Sequence, residues 1–507
     1  MALEPVGDHP EQRGVEQGGS IDAEVSGENR QGSGKDCRVH NPILVVGSTV
    51  SKNAPSRWVA HHKEGNAMTH KTIILAAFLA TSAAATHDER RGITIEGKLN
   101  CPYISHNGGT AYLQISVTTP RMESSRRRPM NLAVVLDRSG SMADQKKMDF
   151  AKKALSSLVD QLDEEDVLSI VIYDDVIEVL RSAQRVRDKQ AIKRLLERVS
   201  PRGSTNLGGG TVEGFKQVER NLDKEYVNRV VLLSDGLANQ GITDPRELNR
   251  IARRYRGKSI SLTTMGVGLD YNENLMMGLS ESGGGNYYFI ESPHSLASIM
   301  RKEFDLLSSV VAQHATIELS LGNGVRVLDV IGCEHRKENN GYLIPIGDLY
   351  TGDHREFTVE LEIPEGTGSF VVVRGVLRFD GESGWSKRFP SFTASVHYTR
   401  DLAVIEKNRD LETQAKADVA LSTRIVERAL EALDKGDHAA AEADLKAAEM
   451  TISASPASAQ AGAAGVAIRE QRARLESYRQ IISDSLNDAR KAKKAIQYDN
   501  YRTQKNR

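Results

Sequence analysis

Five oxygen-bearing side chains, drawn from three separated stretches, are the residues of this chain best suited to chemistry. Asp137, Ser139 and Ser141 crowd one short turn, DRSGS; Thr205 lies in the glycine-rich stretch SPRGSTNLGGG; Asp235 closes the apolar run VVLLSD just before Gly236. Two carboxylates and three hydroxyls, with no His or Cys among them, make a hard all-oxygen donor set. Such a set suits Mg²⁺, with Mn²⁺ or Ca²⁺ as substitutes, and not zinc. Hydroxyl ligands are neutral, so they leave a dication underneutralised and attractive to a further carboxylate, such as an Asp or Glu side chain of a partner protein. A site of this kind can bind without catalysing anything. Each piece alone has a plainer explanation: a Ser-Gly turn, a helix N-cap at Thr205, a turn former at Asp235. Their joint occurrence carries the expectation.

The elements that must position these groups are legible as apolar runs. NLAVVLD closes on Asp137, DVLSIVIY spans Asp166 to Tyr173, VNRVVLLSD ends at Asp235, and SISLTTMGVG runs from Ser259 to Gly268. Stretches of helical period follow near 145–162, 188–199, 209–222, 244–256, 272–281 and 293–308. Strands alternating with helices predict an α/β domain over 131–310, with a doubly wound, mostly parallel sheet covered on both faces. In such sheets ligands bind at the carboxyl ends of the strands. All five candidates fall there.

In this order the residues resemble the von Willebrand factor type A domain with its metal-ion-dependent adhesion site. DRSGS matches the family pattern D-x-S-x-S, with Arg138 at a permissive position; Thr205 in GSTNL and Asp235 in LLSDG match the later family threonine and aspartate. The resemblance implies that Ser139 and Ser141 bind the ion directly. It implies that Thr205 and Asp235 bind directly or through water, and that Asp137 acts through water. GGGNYYFIES, from Gly283 to Ser292, is similar to bacterial secreted members. No catalytic or organic-cofactor residues are implied.

The flanks read differently. Short β-like pieces in 86–130 (ITIEGKL, AYLQISV) and six alternating segments in 311–399 predict a β-sandwich, with the α/β domain inserted in it or flanked by it. Cys101 and Cys333 fall one in each part, and either a disulfide or two separate thiols is compatible with that. From 400 to 507 the pattern predicts a helical hairpin, a flexible small-residue linker (ISASPASAQAGAAG) and a C-terminal amphipathic helix with a stripe of Leu475, Tyr478, Ile482, Leu486 and Ala489. Asp174 and Asp175 read as a solvated loop, Asp270 and Glu273 as helix caps, and the basic tail from Asp488 to Arg507 as a solvated helix end.

The front of the chain reads as processing signal. His70 and Lys71, the apolar run TIILAAFLA and the Ala83–Ala85 pair predict a secretory signal peptide over 68–85, starting at Met68. Residues 1–67 hold one aromatic, Trp58, and predict a disordered segment ahead of a mis-assigned start. The mature chain then begins near Thr86 in the periplasm or outside the cell, with no membrane-spanning segment.

Composition removes other classes. The 507 residues carry 67 Lys and Arg against 68 Asp and Glu, a net charge of −1, so a general nucleic-acid binder is not expected. Three cysteines exclude a disulfide-dense scaffold and a four-cysteine zinc site. The chain therefore reads as a non-enzymatic, metal-dependent adhesion module of the cell envelope. The alternative is an accessory subunit of a chelatase-type or remodelling ATPase, which would prefer the cytosol. A metal-dependent hydrolase lacks a candidate general base.

Overall fold

Two chain segments far apart in sequence build one sandwich, and the α/β domain lies between them. A computed structural model describes residues 92–121, 127–339, 341–381, 389–484 and 489–505. The predicted signal peptide at 68–85 and the segment before it, and with them Cys37, lie outside the described residues.

The first strands are β1 (Thr94–Leu99), β2 (Tyr103–Ser105) and β3 (Gly109–Thr118). The α/β domain follows, opening with β4 (Met130–Asp137), α1 (Lys147–Gln161), β5 (Val167–Tyr173) and β6 (Ile177–Arg185). It continues through α2 (Lys189–Glu197), α3 (Leu207–Glu219), β7 (Val227–Ser234) and α4 (Pro245–Arg256). It closes with β8 (Ser261–Val267), α5 (Glu273–Gly283), β9 (Gly284–Ile290) and α6 (Leu296–Ser308).

Its sheet has the order β6-β5-β4-β7-β8-β9, with β6 alone antiparallel. Every residue of β4, β5, β7 and β8 is buried, as strands covered on both faces require. Leu132, Val134 and Leu136 pack on the α1 and α6 side; Ala133, Val135 and Val230 pack under α3 and α4. The sequence pattern did not mark β6, whose residues are mostly exposed at the sheet edge.

The chain then returns to the sandwich with β10 (Val310–Leu321), β11 (Arg326–Val330), β12 (Arg336–Glu338) and β13 (Gly341–Tyr350). β14 (His354–Ile363), β15 (Ser369–Asp380) and β16 (Ser391–Thr399) complete it. One sheet is β1-β3-β14-β11 and the other β12-β13-β10-β15-β16-β2. The early strands thus enter both sheets: β3 pairs antiparallel with β14, and β2 pairs parallel with β16. Ile95, Leu113 and Ile115 meet Ile317, Val372 and Leu377 in the shared core. Cys101 and Cys333 are free thiols here; the Cys101 thiol donates to the Ile405 carbonyl at 3.4 Å.

The C-terminal part is helical: α7 (Leu402–Lys407), α8 (Leu411–Asp434), α9 (His438–Ser453), α10 (Ala463–Asp484) and α11 (Ala489–Gln504). The small-residue stretch between α9 and α10 is mostly exposed but pinned at Ser455 and Ala457, of which Ala457 is fully buried against this helical core. The apolar stripe is divided between two helices. Leu475 and Tyr478 are buried on α10, Ala489 opens α11, and Leu486 lies outside the described residues. Among the described residues no helix is long and apolar enough to cross a membrane.

Candidate metal centre

The loops after β4, β5 and β7 and the connection between α2 and α3, which carries Thr205, are stitched together by hydrogen bonds. After β4, the Asp137 carboxylate accepts the Ser139 N–H at 2.8 Å, an Asx turn that swings the two serines over the strand end. The Arg138 N–H donates to the Tyr173 carbonyl at 2.9 Å, and the Arg202 N–H to the Arg138 carbonyl at 2.7 Å. The Gly140 N–H donates to the Gly203 carbonyl at 3.1 Å. Thr205 is fixed from the third loop: its N–H donates to Asn239 Oδ1 at 2.9 Å, and its carbonyl accepts the Asn239 N–H at 3.2 Å. Gly203 has φ +69°, and a Cβ there would lie 2.1 Å from Asp175 Oδ1, so only glycine fits.

These ties bring the five candidate oxygens to one place. Ser139 Oγ lies 3.1 Å from Ser141 Oγ, and Ser141 Oγ donates to Asp235 Oδ1 at 2.8 Å. Gly236 separates Thr205 from Ser141: a Cβ built on it would stand 3.1 Å from Thr205 Oγ1 and 3.7 Å from Ser141 Oγ. The Thr205 and Ser141 hydroxyls thus form a cradle around Gly236, where the absence of a side chain lets the Asp235 loop approach them closely, and Ser139 and Asp235 adjoin it through Ser141.

Asp137 sits a layer deeper. It is fully buried, and its Oδ2 accepts from Ser234 Oγ at 2.6 Å and from Tyr173 Oη at 3.3 Å. Burial pushes its carboxyl up to about 6, only partly offset by the Ser234 hydrogen bond. Both its oxygens are engaged by the protein, which matches a group that supports a ligand shell from behind.

The donor chemistry and the cradle fit a hard divalent cation. Among the described residues no three His, Cys, Asp or Glu side chains gather as a metal cluster, so the two Asp carboxylates depend on hydroxyls to complete any ligand set.

Residues around the site depart from their sequence reading. Asp174 is buried, not solvated; it pairs with Arg138 at 2.9 Å and Arg202 at 2.8 Å, and it accepts the Val176 N–H. Lys147, unremarked in the sequence, is 3% exposed and donates to Asp235 Oδ2 at 2.7 Å. One lysine of a Lys-Lys pair at a helix start carries no local sign of burial; only the fold places it under Asp235. Glu273 does not cap α5, a role taken by Asn272. The basic tail is not solvated either: Lys494 on α11 is buried and donates to Glu273 and to the Tyr271 carbonyl.

The rim also exposes apolar side chains. Leu237 (55% exposed) follows Gly236, and Val176 (54%) follows the Asp174–Asp175 loop. The cradle therefore opens on a face with uncovered hydrophobic flanks.

A six-stranded doubly wound sheet with this loop constellation at its strand ends defines a class of protein-interaction domain, and the comparisons agree. Residues 131–302 match the family described as the von Willebrand factor type A domain. Residues 131–302 are thus a von Willebrand factor type A domain. The chain is 26% identical over 257 residues to the uncharacterized protein YfbK of Escherichia coli, covering 50% of this chain and 45% of that protein. It is 27% identical over 280 residues to the uncharacterized protein sll0103 of Synechocystis, covering 53% of this chain and 66% of that one. A 165-residue match to human inter-alpha-trypsin inhibitor heavy chain H3 is 25% identical and spans 31% of this chain and 18% of that protein. The chain thus matches less than two thirds of the length of these relatives.

In overall fold it is similar to a von Willebrand factor type A protein from Catenulispora acidiphila. That likeness has a TM-score of 0.60 at 15% identity and covers 79% of this chain and 91% of that structure. It is also similar to the ArnB paralog VWA2 from Sulfolobus acidocaldarius, with a TM-score of 0.56 at 17% identity, over 82% and 98%. Both likenesses extend well beyond the 131–302 segment.

Proposed function

We propose that this chain is a non-enzymatic protein-binding module of the cell envelope that grips an Asp or Glu carboxylate of a partner through a divalent cation. Type A domains are protein-interaction modules, and that much follows from the family. The ligand set is Asp137, Ser139, Ser141, Thr205 and Asp235, with Mg²⁺ as the resident ion or Mn²⁺ or Ca²⁺ in its place. When bound, the ion supplies a positive centre that a carboxylate from outside can meet.

The observation that carries this reading is the convergence at the strand ends of the Ser139 and Ser141 hydroxyls and the Asp235 carboxylate within hydrogen-bond distance, with Thr205 and Ser141 flanking Gly236. Exposed Leu237 and Val176 beside it supply apolar contact area for the partner. The export step rests on residues 68–85, whose charged start, apolar run and small-residue end have the form of a secretory signal.

Pull-down from native extract, with Mg²⁺ and again with EDTA, tests the binding reading. The expected result is a partner retained with Mg²⁺ and released by EDTA, and lost from a folded Ser139→Ala variant. Retention unchanged under all three conditions contradicts it. A reporter fused behind residues 68–90 tests export separately; retention of the reporter in the cytosol contradicts the envelope location.

A further inference from the structure

Asp235 divides its carboxylate between two tasks. Oδ1 accepts from Ser141 at the cradle, and Oδ2 accepts from the Lys147 ammonium at 2.7 Å. The lysine is enclosed: a Cβ on Gly268, just after β8, would lie 3.3 Å from its Cε and 3.5 Å from its Nζ. Asp235 is fully buried and Lys147 is 3% exposed, so water screens this charge weakly. Arg138, between Asp137 and Ser139, is matched by Asp174 at 2.9 Å and Glu178 at 3.2 Å. Two carboxylates and one ammonium therefore leave the donor set with a single net negative charge.

We propose that Lys147 is a built-in countercharge that loosens the site's hold on a divalent cation and keeps the bound ion electrophilic toward an outside carboxylate. This rests on the metal-dependent reading above. A dication met by one net negative charge retains one positive charge for the partner's acid. Without the ammonium, the two carboxylates would neutralise the ion and the attraction for a third would fall. The lysine thereby trades metal affinity for partner affinity, a specificity that hydroxyl ligands alone do not set.

Mn²⁺ binding to the full chain, followed by the electron paramagnetic resonance signal of free Mn²⁺, tests this without any partner. Lys147→Gln keeps a hydrogen-bond donor and removes the charge; Lys147→Met removes both; Lys147→Arg keeps the charge. The expected result is a dissociation constant at least about tenfold lower for the Gln variant, because the lost repulsion acts at short range in a poorly screened site. The Arg variant stays near wild type. Unchanged or weaker binding by a folded Gln variant overturns the proposal and reduces Lys147 to an orienting role for Asp235. Binding by the Gln or Met variant but not by wild type supports the countercharge while contradicting metal dependence in the native protein. No binding by any of the four proteins overturns the metal reading and this inference together.

Discussion

Arg229 of β7 and Asp348 of β13 form a buried ion pair at 2.6 Å that joins the type A domain to the sandwich. Arg229 is fully buried, and its second terminal nitrogen donates to Thr263 Oγ1 at 3.2 Å. Thr263 in turn donates to Glu303 of α6 at 2.6 Å, which also accepts from Asn286 and Tyr288. The parallel sheet, its last helix and the sandwich therefore share one polar network, at the end of the sheet opposite the cradle.

Removing one partner strands a buried charge. Arg229→Met is expected to cost about 3–5 kcal/mol, the usual penalty for breaking a buried pair from one side. The double variant Arg229→Met, Asp348→Leu is expected to recover most of that loss. Urea unfolding of the wild type, both single variants and the double variant measures it; additive losses in the double variant contradict the assignment.

The tail makes a second tie. Lys493 and Lys494 of α11 both reach Glu273 of α5, Gln497 donates to Asn274 at 2.7 Å, and the Tyr501 and Tyr287 rings meet edge to face with centroids 5.7 Å apart. Burial pushes the Glu273 carboxyl up, but the Lys493 and Lys494 hydrogen bonds outweigh it and its pKa is lowered from 4.5. A depressed acid stabilises the fold fully above its unfolded value and loses that contribution as pH falls below it. The stability gap between wild type and Glu273→Gln should therefore be constant near neutrality and shrink below about pH 4.5, where the unfolded carboxyl begins to bind protons. Chemical denaturation at pH 7, 5 and 4 reads this; a gap that widens on acidification contradicts the pairing.

Gly236 provides a steric probe of the cradle. Its backbone does not need positive φ, but a Cβ there would stand 3.1 Å from Thr205 Oγ1, so Gly236→Val should fold with a loss of about 1–3 kcal/mol, the usual cost of overpacking. The new side chain fills the space between Thr205 and Ser141. Mn²⁺ affinity should fall at least about tenfold, equivalent to about 1.4 kcal/mol, because the side chain pushes Thr205 Oγ1 from its place. Unaltered Mn²⁺ binding in this variant contradicts the location of the site.

The thiols offer a simpler check. Cys101 and Cys333 are free here, and burial pushes both thiols up, which slows their reaction. Dithiothreitol should leave the melting temperature unchanged, whereas a disulfide would contribute about 2–4 kcal/mol. A clear drop on reduction contradicts the unbonded state.

Much of this architecture is legible in the chain, for identifiable reasons. β4, β5, β7 and β8 announce themselves because strands covered on both faces must be apolar throughout, and Asp137 and Asp235 stand out as the first charges after such runs. β6 is hidden because an exposed edge strand, IEVLRSAQR, carries no continuous apolar signal. Asp174 and Lys494 read as solvated, and Lys147 draws no notice, because their partners lie on other elements: Arg138 and Arg202 for Asp174, Glu273 for Lys494, and Asp235 for Lys147. A charge is buried only by a partner distant in sequence, and local pattern holds no record of that pairing. The stretch ISASPASAQAGAAG misleads for a related reason: small residues suit a loose linker and a close-packed turn equally, and Ala457 takes the second role.

In the proposed function, Ser139, Ser141, Thr205 and Asp235, backed by Asp137, hold one divalent cation at the strand ends. Crystals of the protein soaked in Mn²⁺ and measured at the manganese absorption edge test it most directly. The predicted result is one strong anomalous peak in the cradle beside Gly236, absent from crystals of a folded Asp235→Ala variant. A map with no peak there at saturating Mn²⁺, or with the peak elsewhere on the molecule, contradicts the account.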